Sequence, residues 1–234
     1  MRTISVFNQK GGVGKTTSVV NLAVALNYLD KKVLVIDIDP QANTTTGLGL
    51  DKYNIENSLY ELFYAGEGES SEENEVEEEN TEESTEQGKE ESNTEVEDEE
   101  IQEALEEEKT TININDYITK TQSGVDIIPS ESALSGLEVE LVELDALERT
   151  KQLKNIIDLI EDDKYDFVLI DCPPSLGLLS INALVASNSI IIPIQTEYYA
   201  LEGVSELMNT YNMVKRQLNE DLEIEGVLLS MFDK

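Results

Sequence analysis

Residues 8–17 read Asn8-Gln9-Lys10-Gly11-Gly12-Val13-Gly14-Lys15-Thr16-Thr17, between the apolar run Thr3-Ile4-Ser5-Val6-Phe7 and a helical pattern over Thr16–Tyr28. A strand, a glycine-rich loop and a helix start, in that order, make a cradle for an anion. Glycines let the backbone wrap closely, and the first turn of a helix offers N–H groups that have no intrahelical partner. Lys15 is placed to reach β- and γ-phosphates, and the Thr16 hydroxyl suits a Mg²⁺ ligand. The strict G-x-x-x-x-G-K-[ST] pattern is not met: Gln9 stands at its first glycine, and a second lysine, Lys10, precedes Lys15 by five residues.

Outward from this loop, short apolar runs alternate with amphipathic stretches. Strands are expected at Thr3–Asn8, Lys32–Asp37, Val125–Pro129, Asp166–Asp171, Ser189–Gln195 and Glu223–Ser230. Helical patterns lie at Thr16–Tyr28, Ser58–Tyr64, Leu147–Ile160, Leu178–Ser187 and Leu201–Leu218; in the third, Leu153, Ile156, Ile157 and Ile160 make one buried stripe. Val33-Leu34-Val35-Ile36 and Phe167-Val168-Leu169-Ile170 are continuously apolar, as strands covered on both faces are. The pattern predicts an α/β fold, a doubly wound and mainly parallel sheet with ligands at the carboxyl ends of its strands.

Two further acidic positions fall at such strand ends. Asp37 and Asp39 close the second strand, and alternation in an extended chain puts their side chains on one side. One carboxylate can serve a metal shell and the other can orient a water. Asp171 ends the run Phe167–Ile170, where a carboxylate can hold Mg²⁺ or its water, and Pro173 and Pro174 stiffen the loop that follows. Cys172 beside it reads as a small, semi-buried residue rather than a reactive thiol.

Composition excludes several chemistries. The 234 residues contain no histidine and one cysteine. His-based triads and proton shuttles are therefore ruled out, an internal disulfide is impossible, and a zinc site is not expected. The lone cysteine fits a reducing cytosol, and no apolar run reaches membrane-spanning length. The formal charge of −34 is uneven: residues 67–109 hold 22 acidic side chains against Lys89 and Lys109 alone. Residues 66–109 have too few large apolar side chains to offset their ordering entropy, which predicts a disordered acidic insertion within one domain. The basic pairs Lys31-Lys32 and Lys215-Arg216 are too sparse for a nucleic-acid footprint.

The segment Asn8–Thr17 resembles the deviant Walker A motif of the ParA/MinD ATPases. The likeness continues at Asp37-Ile38-Asp39-Pro40-Gln41-Ala42-Asn43, at Asp171-Cys172-Pro173-Pro174-Ser175, and at Pro193-Ile194-Gln195-Thr196-Glu197-Tyr198-Tyr199-Ala200-Leu201-Glu202-Gly203. It covers nearly the whole chain outside 66–109. The Asp-Pro-Gln wording and the Tyr-Tyr-Ala-Leu-Glu-Gly stretch resemble the ParA/Soj branch rather than MinD.

The resemblance implies a single P-loop ATPase domain over residues 1–234, interrupted by the insertion. ATP would be held by Lys10, Gly11, Gly12, Val13, Gly14, Lys15, Thr16 and Thr17, with Mg²⁺ at Thr16, Asp37 and Asp171. Lys10, Lys15 and Asp39 would be catalytic. The family likeness gives Asp39 the water-positioning role, and it implies that Lys10 crosses a homodimer interface to ATP bound in the partner subunit. The expected function is an ATP-dependent dimerising switch that partitions or positions DNA in the cytoplasm, with a ParB-like activator as partner, non-specific DNA as a partner of the full-length protein, and no membrane. Tyr198 and Tyr199 are expected to pack at the sheet edge or a subunit face. Family members continue beyond the equivalent of Ser230–Lys234 with further helices, another strand, adenine contacts and DNA-binding basic residues, so that part of the family domain is expected to be missing. Two other readings compete: a MinD-like switch at a membrane or cargo surface, which needs a C-terminal basic amphipathic helix that this sequence lacks, and a nucleotide-binding fragment without turnover.

Overall fold

Strand β1 (Arg2–Val6) and helix α1 (Lys15–Tyr28) flank the glycine-rich loop, and β2 (Val33–Asp37) follows. The computed structural model describes residues 1–67, 112–196 and 200–231. The remaining elements are α2 (Asn43–Gly47), α3 (Leu59–Glu67), β3 (Thr119–Lys120), β4 (Asp126–Ile128), α4 (Leu134–Glu140) and α5 (Gln152–Asp158). They continue with β5 (Phe167–Asp171), α6 (Leu178–Val185), β6 (Ser189–Gln195), α7 (Ala200–Gln217) and β7 (Glu223–Ser230). Met1–Tyr64 and Asn113–Lys234 form one compact unit; a second, Ala65–Ile112, holds the acidic block, whose expected disorder lies outside the described residues, as do Tyr198 and Tyr199.

Among the described residues the strands form one sheet in the order β3-β4-β2-β5-β1-β6-β7. Every pairing is parallel except that of β3 with β4. From central β1 the chain winds to β2 on one side and later to β6 on the other, so the order reverses at β1, where doubly wound sheets open a crevice. Register then fixes the site. Val6 pairs with Asp171, and Asp171 pairs with Asp37, so the carboxyl ends of β1, β5 and β2 stand level. Alternation along the strands fills the layer beneath α1: Ile4, Val6, Val33, Val35, Ile127 and Leu169 pack with Val19 and Ala23 of the helix. Leu34, Ile36, Val168 and Ile170 are also fully buried, as continuously apolar strands require. Edge strand β7 leaves Val227, Leu228 and Leu229 exposed.

All six expected strands occur, within two residues at each end. The expected helix over Leu147–Ile160 is instead a 3₁₀ turn, Glu148–Thr150, followed by α5. The cause is Asn182 of α6. Its amide donates to the Arg149 carbonyl at 2.8 Å and accepts from the Leu153 N–H at 3.1 Å, the two groups that a continuous helix would pair with each other.

Candidate functional site

The loop between β1 and α1 is shaped by Gly12 and Gly14, whose φ values of 72° and 92° lie in the left-handed region. Asn8 anchors its entry, donating to the Pro193 carbonyl at 2.7 Å and accepting from the Lys10 N–H at 2.9 Å. Gly14 begins α1 without a side-chain cap, and the first turn carries no acidic residue. The N–H groups there stay available to an anion. Lys15 is buried and its Nζ donates to the Lys10 carbonyl at 3.1 Å. Burial holds its ammonium below the usual lysine range, against the opposing pull of Asp171 and Asp39. Lys10 itself is exposed. A cavity of about 310 Å³ lies over the loop, lined by Gly11, Gly12, Gly14, Lys15, Thr16 and Thr17 together with Asp39, Gln41, Asn43, Pro174 and Met231.

The three sequence-predicted carboxylates take different positions. Asp171 is fully buried, and its Oδ2 accepts from Thr16 Oγ1 at 2.7 Å and Thr44 Oγ1 at 2.6 Å. Its Oδ1 is buried without a hydrogen-bond partner. Burial pushes this carboxyl up to about 6, offset in part by the two threonine hydroxyls. Asp39 lines the cavity, with Oδ1 accepting the Gln41 N–H at 3.0 Å. Asp37 sits deeper than its sequence reading as a metal ligand envisages. Its Oδ2 accepts both the N–H and the hydroxyl of Thr45, at 2.8 and 2.7 Å, while Oδ1 faces the Asp39 N–H at 3.2 Å. Burial, then the nearby Asp171, raises Asp37 to about 7. The structure thus brings Thr16 to Asp171 and turns Asp37 inward onto Thr45. Cys172 is fully buried and its thiol is pushed up by burial, an unreactive setting.

Several residues that sequence reasoning missed hold this arrangement. Thr44 and Thr45 of α2 tie Asp171 and Asp37 in place. Ser130, after β4, donates its hydroxyl to the Asp39 carbonyl at 2.6 Å and its N–H to Thr45 Oγ1 at 3.0 Å. The available signal was the run Asn43-Thr44-Thr45-Thr46 directly after Asp37–Ala42, hydroxyls set beside carboxylates at a strand end.

A mainly parallel sheet with its order reversed at β1, and a glycine loop running from β1 into a helix, define a P-loop nucleotide-binding fold. A family profile described as an AAA domain matches residues 1–224. The sporulation initiation inhibitor protein Soj of Bacillus subtilis is 40% identical over 232 residues, covering 99% of this chain and 73% of its own. The chromosome partitioning protein ParA of Myxococcus xanthus is 38% identical over 233 residues, with 99% of this chain and 65% of that protein covered. The chain belongs to the ParA/Soj family of chromosome-partitioning ATPases. Among solved structures, cobyrinic acid a,c-diamide synthase from Mycobacterium smegmatis with bound ADP and magnesium superposes with a TM-score of 0.77 at 29% identity, covering 100% of this chain and 76% of that one. Among the described residues no helix is long and apolar enough to cross a membrane.

Proposed function

We propose that this chain is a Mg²⁺-dependent ATPase, a dimerising switch that partitions or positions DNA in the cytoplasm with a ParB-like partner. We further propose that residues 1–234 form one ATPase domain, with residues 66–109 inserted into it. The observation that carries the reading is the contact beneath the glycine loop: the Thr16 hydroxyl lies 2.7 Å from a buried Asp171 carboxylate whose second oxygen has no partner. Such an unsatisfied acceptor costs about 1–3 kcal/mol, and a cation or its bound water supplies what it lacks. Among the described residues no three His, Cys, Asp or Glu side chains form a metal cage. Thr16 and Asp171 suit Mg²⁺, which keeps waters and phosphate oxygens among its ligands. When bound, Mg²⁺ neutralises charge on the β- and γ-phosphate oxygens.

The chain's own residues supply the rest. Backbone N–H groups of residues 11–17 and the Lys15 ammonium hold the phosphates, and burial leaves Lys15 poorly hydrated, which strengthens its pull on an anion. Asp39, beside the cavity, orients the water whose oxygen attacks the γ-phosphorus as the bond to the β,γ-bridging oxygen breaks, giving ADP and phosphate. Asp37 acts from behind by fixing Thr45 and the Asp39 backbone. Exposed Lys10 reaches the phosphates of ATP in a second copy, stabilising charge on the transferring group as an arginine finger does.

The test of the switch is Lys10→Ala, studied by sedimentation with Mg²⁺–ATP and by steady-state hydrolysis with and without DNA. The expected result is intact ATP binding with dimerisation and turnover lost together; the same monomer–dimer titration in both proteins would refute the role in trans.

A further inference from the structure

From the side of β6 and β7, two side chains grip the carbonyls of the phosphate loop. Gln195, the last residue of β6, donates from Nε2 to the Gly12 carbonyl at 3.0 Å, and the same nitrogen lies 2.9 Å from Met231 Sδ. Ser230, the last residue of β7, donates from Oγ to the Val13 carbonyl at 2.7 Å. The Ser230 Cβ also lies 3.7 Å from where a side chain on Gly14 would begin.

Peptide geometry turns these contacts into an orientation device. In a planar trans peptide the C=O and the following N–H point in opposite directions. The Gly12 carbonyl shares its plane with the Val13 N–H, and the Val13 carbonyl shares its plane with the Gly14 N–H. Holding both carbonyls toward Gln195 and Ser230 aims both N–H groups away from those two side chains. The loop has unusual freedom at these planes, because they join Gly12, Val13 and Gly14 and both glycines sit at positive φ. Without the two donors, either plane could rotate and present a carbonyl oxygen to an anion, reversing the local dipole.

We propose that Gln195 and Ser230 are positioning residues for nucleotide binding. They form a two-point clamp that fixes the Val13 and Gly14 N–H groups for the β-phosphate, so that a nucleoside diphosphate already feels its full effect. The inference rests on the loop being the phosphate site. The chain leaving β6 is also tied to the chain leaving β7, since Thr196 Oγ1 donates to the Met231 carbonyl at 3.4 Å.

The test is calorimetric titration of ADP with Mg²⁺ into the full chain, paired with nucleotide-free melting. Gln195→Met keeps length and removes the donor; Ser230→Ala removes the hydroxyl, and Ser230→Thr returns it at a strand position that tolerates β-branching. Each loss variant is expected to weaken ADP about two- to tenfold, the range for the net worth of one hydrogen bond. The double variant should lose more than either alone, Ser230→Thr should bind near wild type, and nucleotide-free melting temperatures should stay within a degree or so of wild type. Lys15→Ala serves as the control. If it abolishes ADP binding while the clamp variants bind as wild type, the clamp is refuted and the phosphate site stands. If Lys15→Ala also binds normally, the site itself is wrong and the clamp goes with it. Losses in affinity matched by equal losses of nucleotide-free stability, without rescue by threonine, would make the contacts structural and overturn the proposal.

Discussion

Asp37→Asn in the nucleotide-free, EDTA-treated protein should change how stability depends on pH. The ordinary aspartate value is 3.8; in the fold, burial first and the Asp171 carboxylate second raise Asp37 to about 7. Between these values the native state holds a proton that the unfolded state has released, so stability falls as pH rises from about 4 to about 7. From pH 5 to 7.5 the loss is about 2.5 kcal/mol, at about 1.36 kcal/mol per pH unit. For a domain of this size that corresponds to roughly 5–10 °C in Tm. Asp171, raised to about 6 by burial, acts in the same direction. Asparagine keeps the shape and can still accept both Thr45 bonds, but its amide then faces the Asp39 N–H and the 3.2 Å contact is lost. That defect costs about 1–3 kcal/mol at every pH. The variant should therefore be less stable than wild type at pH 5 and should close most of the gap, or invert it, by pH 7.5. Repulsion among carboxylates outside the Asp37–Asp171 pair acts on both proteins alike, so the difference between their melting curves reports the titration of that pair. Parallel curves across pH 5–7.5 would refute the claim that Asp37 is held protonated by its surroundings.

Asp39→Ala should bind Mg²⁺–ATP as wild type yet slow single-turnover hydrolysis by about two orders of magnitude; wild-type rates in quench-flow would remove Asp39 from the chemistry. Excising residues 66–108 should leave ADP affinity and cooperative unfolding in place, because β2 and β4 on either side of the block pair directly and halving a loop changes closure entropy by only about 0.6 kcal/mol. Loss of folding by circular dichroism would show instead that the acidic block belongs to the core.

Most of the framework was legible because it is written in local pattern. Val33–Ile36 and Phe167–Ile170 are apolar without interruption, and only strands covered on both faces need that. The order of Gly11-Gly12-Val13-Gly14-Lys15 after one apolar run and before a helical one could be read directly. The misses have physical causes. Strand β3 is two polar residues long and α2 is five residues of Asn, Thr and Gly, too short for any period to register. In α4, Leu134 and Leu137 at helical spacing, with Leu141 just beyond, do carry a signal, diluted by Gly136 and by the helix's seven residues. The break before α5 could not be read from its own segment, because the amide that makes it comes from Asn182, 29 residues further on from Leu153. The site shows the same division. Lys15, Thr16, Asp39 and Asp171 stood out as candidates by position in a motif, whereas Thr44, Thr45, Ser130 and Ser230 enter only through contacts that the folded chain creates; Gln195 lay within a motif, but its bond to the Gly12 carbonyl was not visible there. Asp37 belongs to both groups: its place at a strand end was visible, but its inward turn onto Thr45 was not.

If residues 10–17 bind the phosphates of a nucleotide, titration calorimetry of Mg²⁺–ATP into wild type and Lys15→Ala will separate the two proteins. Removing a buried ammonium that bonds a charged phosphate should cost about 1.5–3 kcal/mol or more, a loss of roughly tenfold to beyond a hundredfold in affinity. Wild type should give a saturable heat, and Lys15→Ala, still folded by circular dichroism, little or none at the same concentrations. Equal affinity in the two proteins would contradict phosphate binding by residues 10–17.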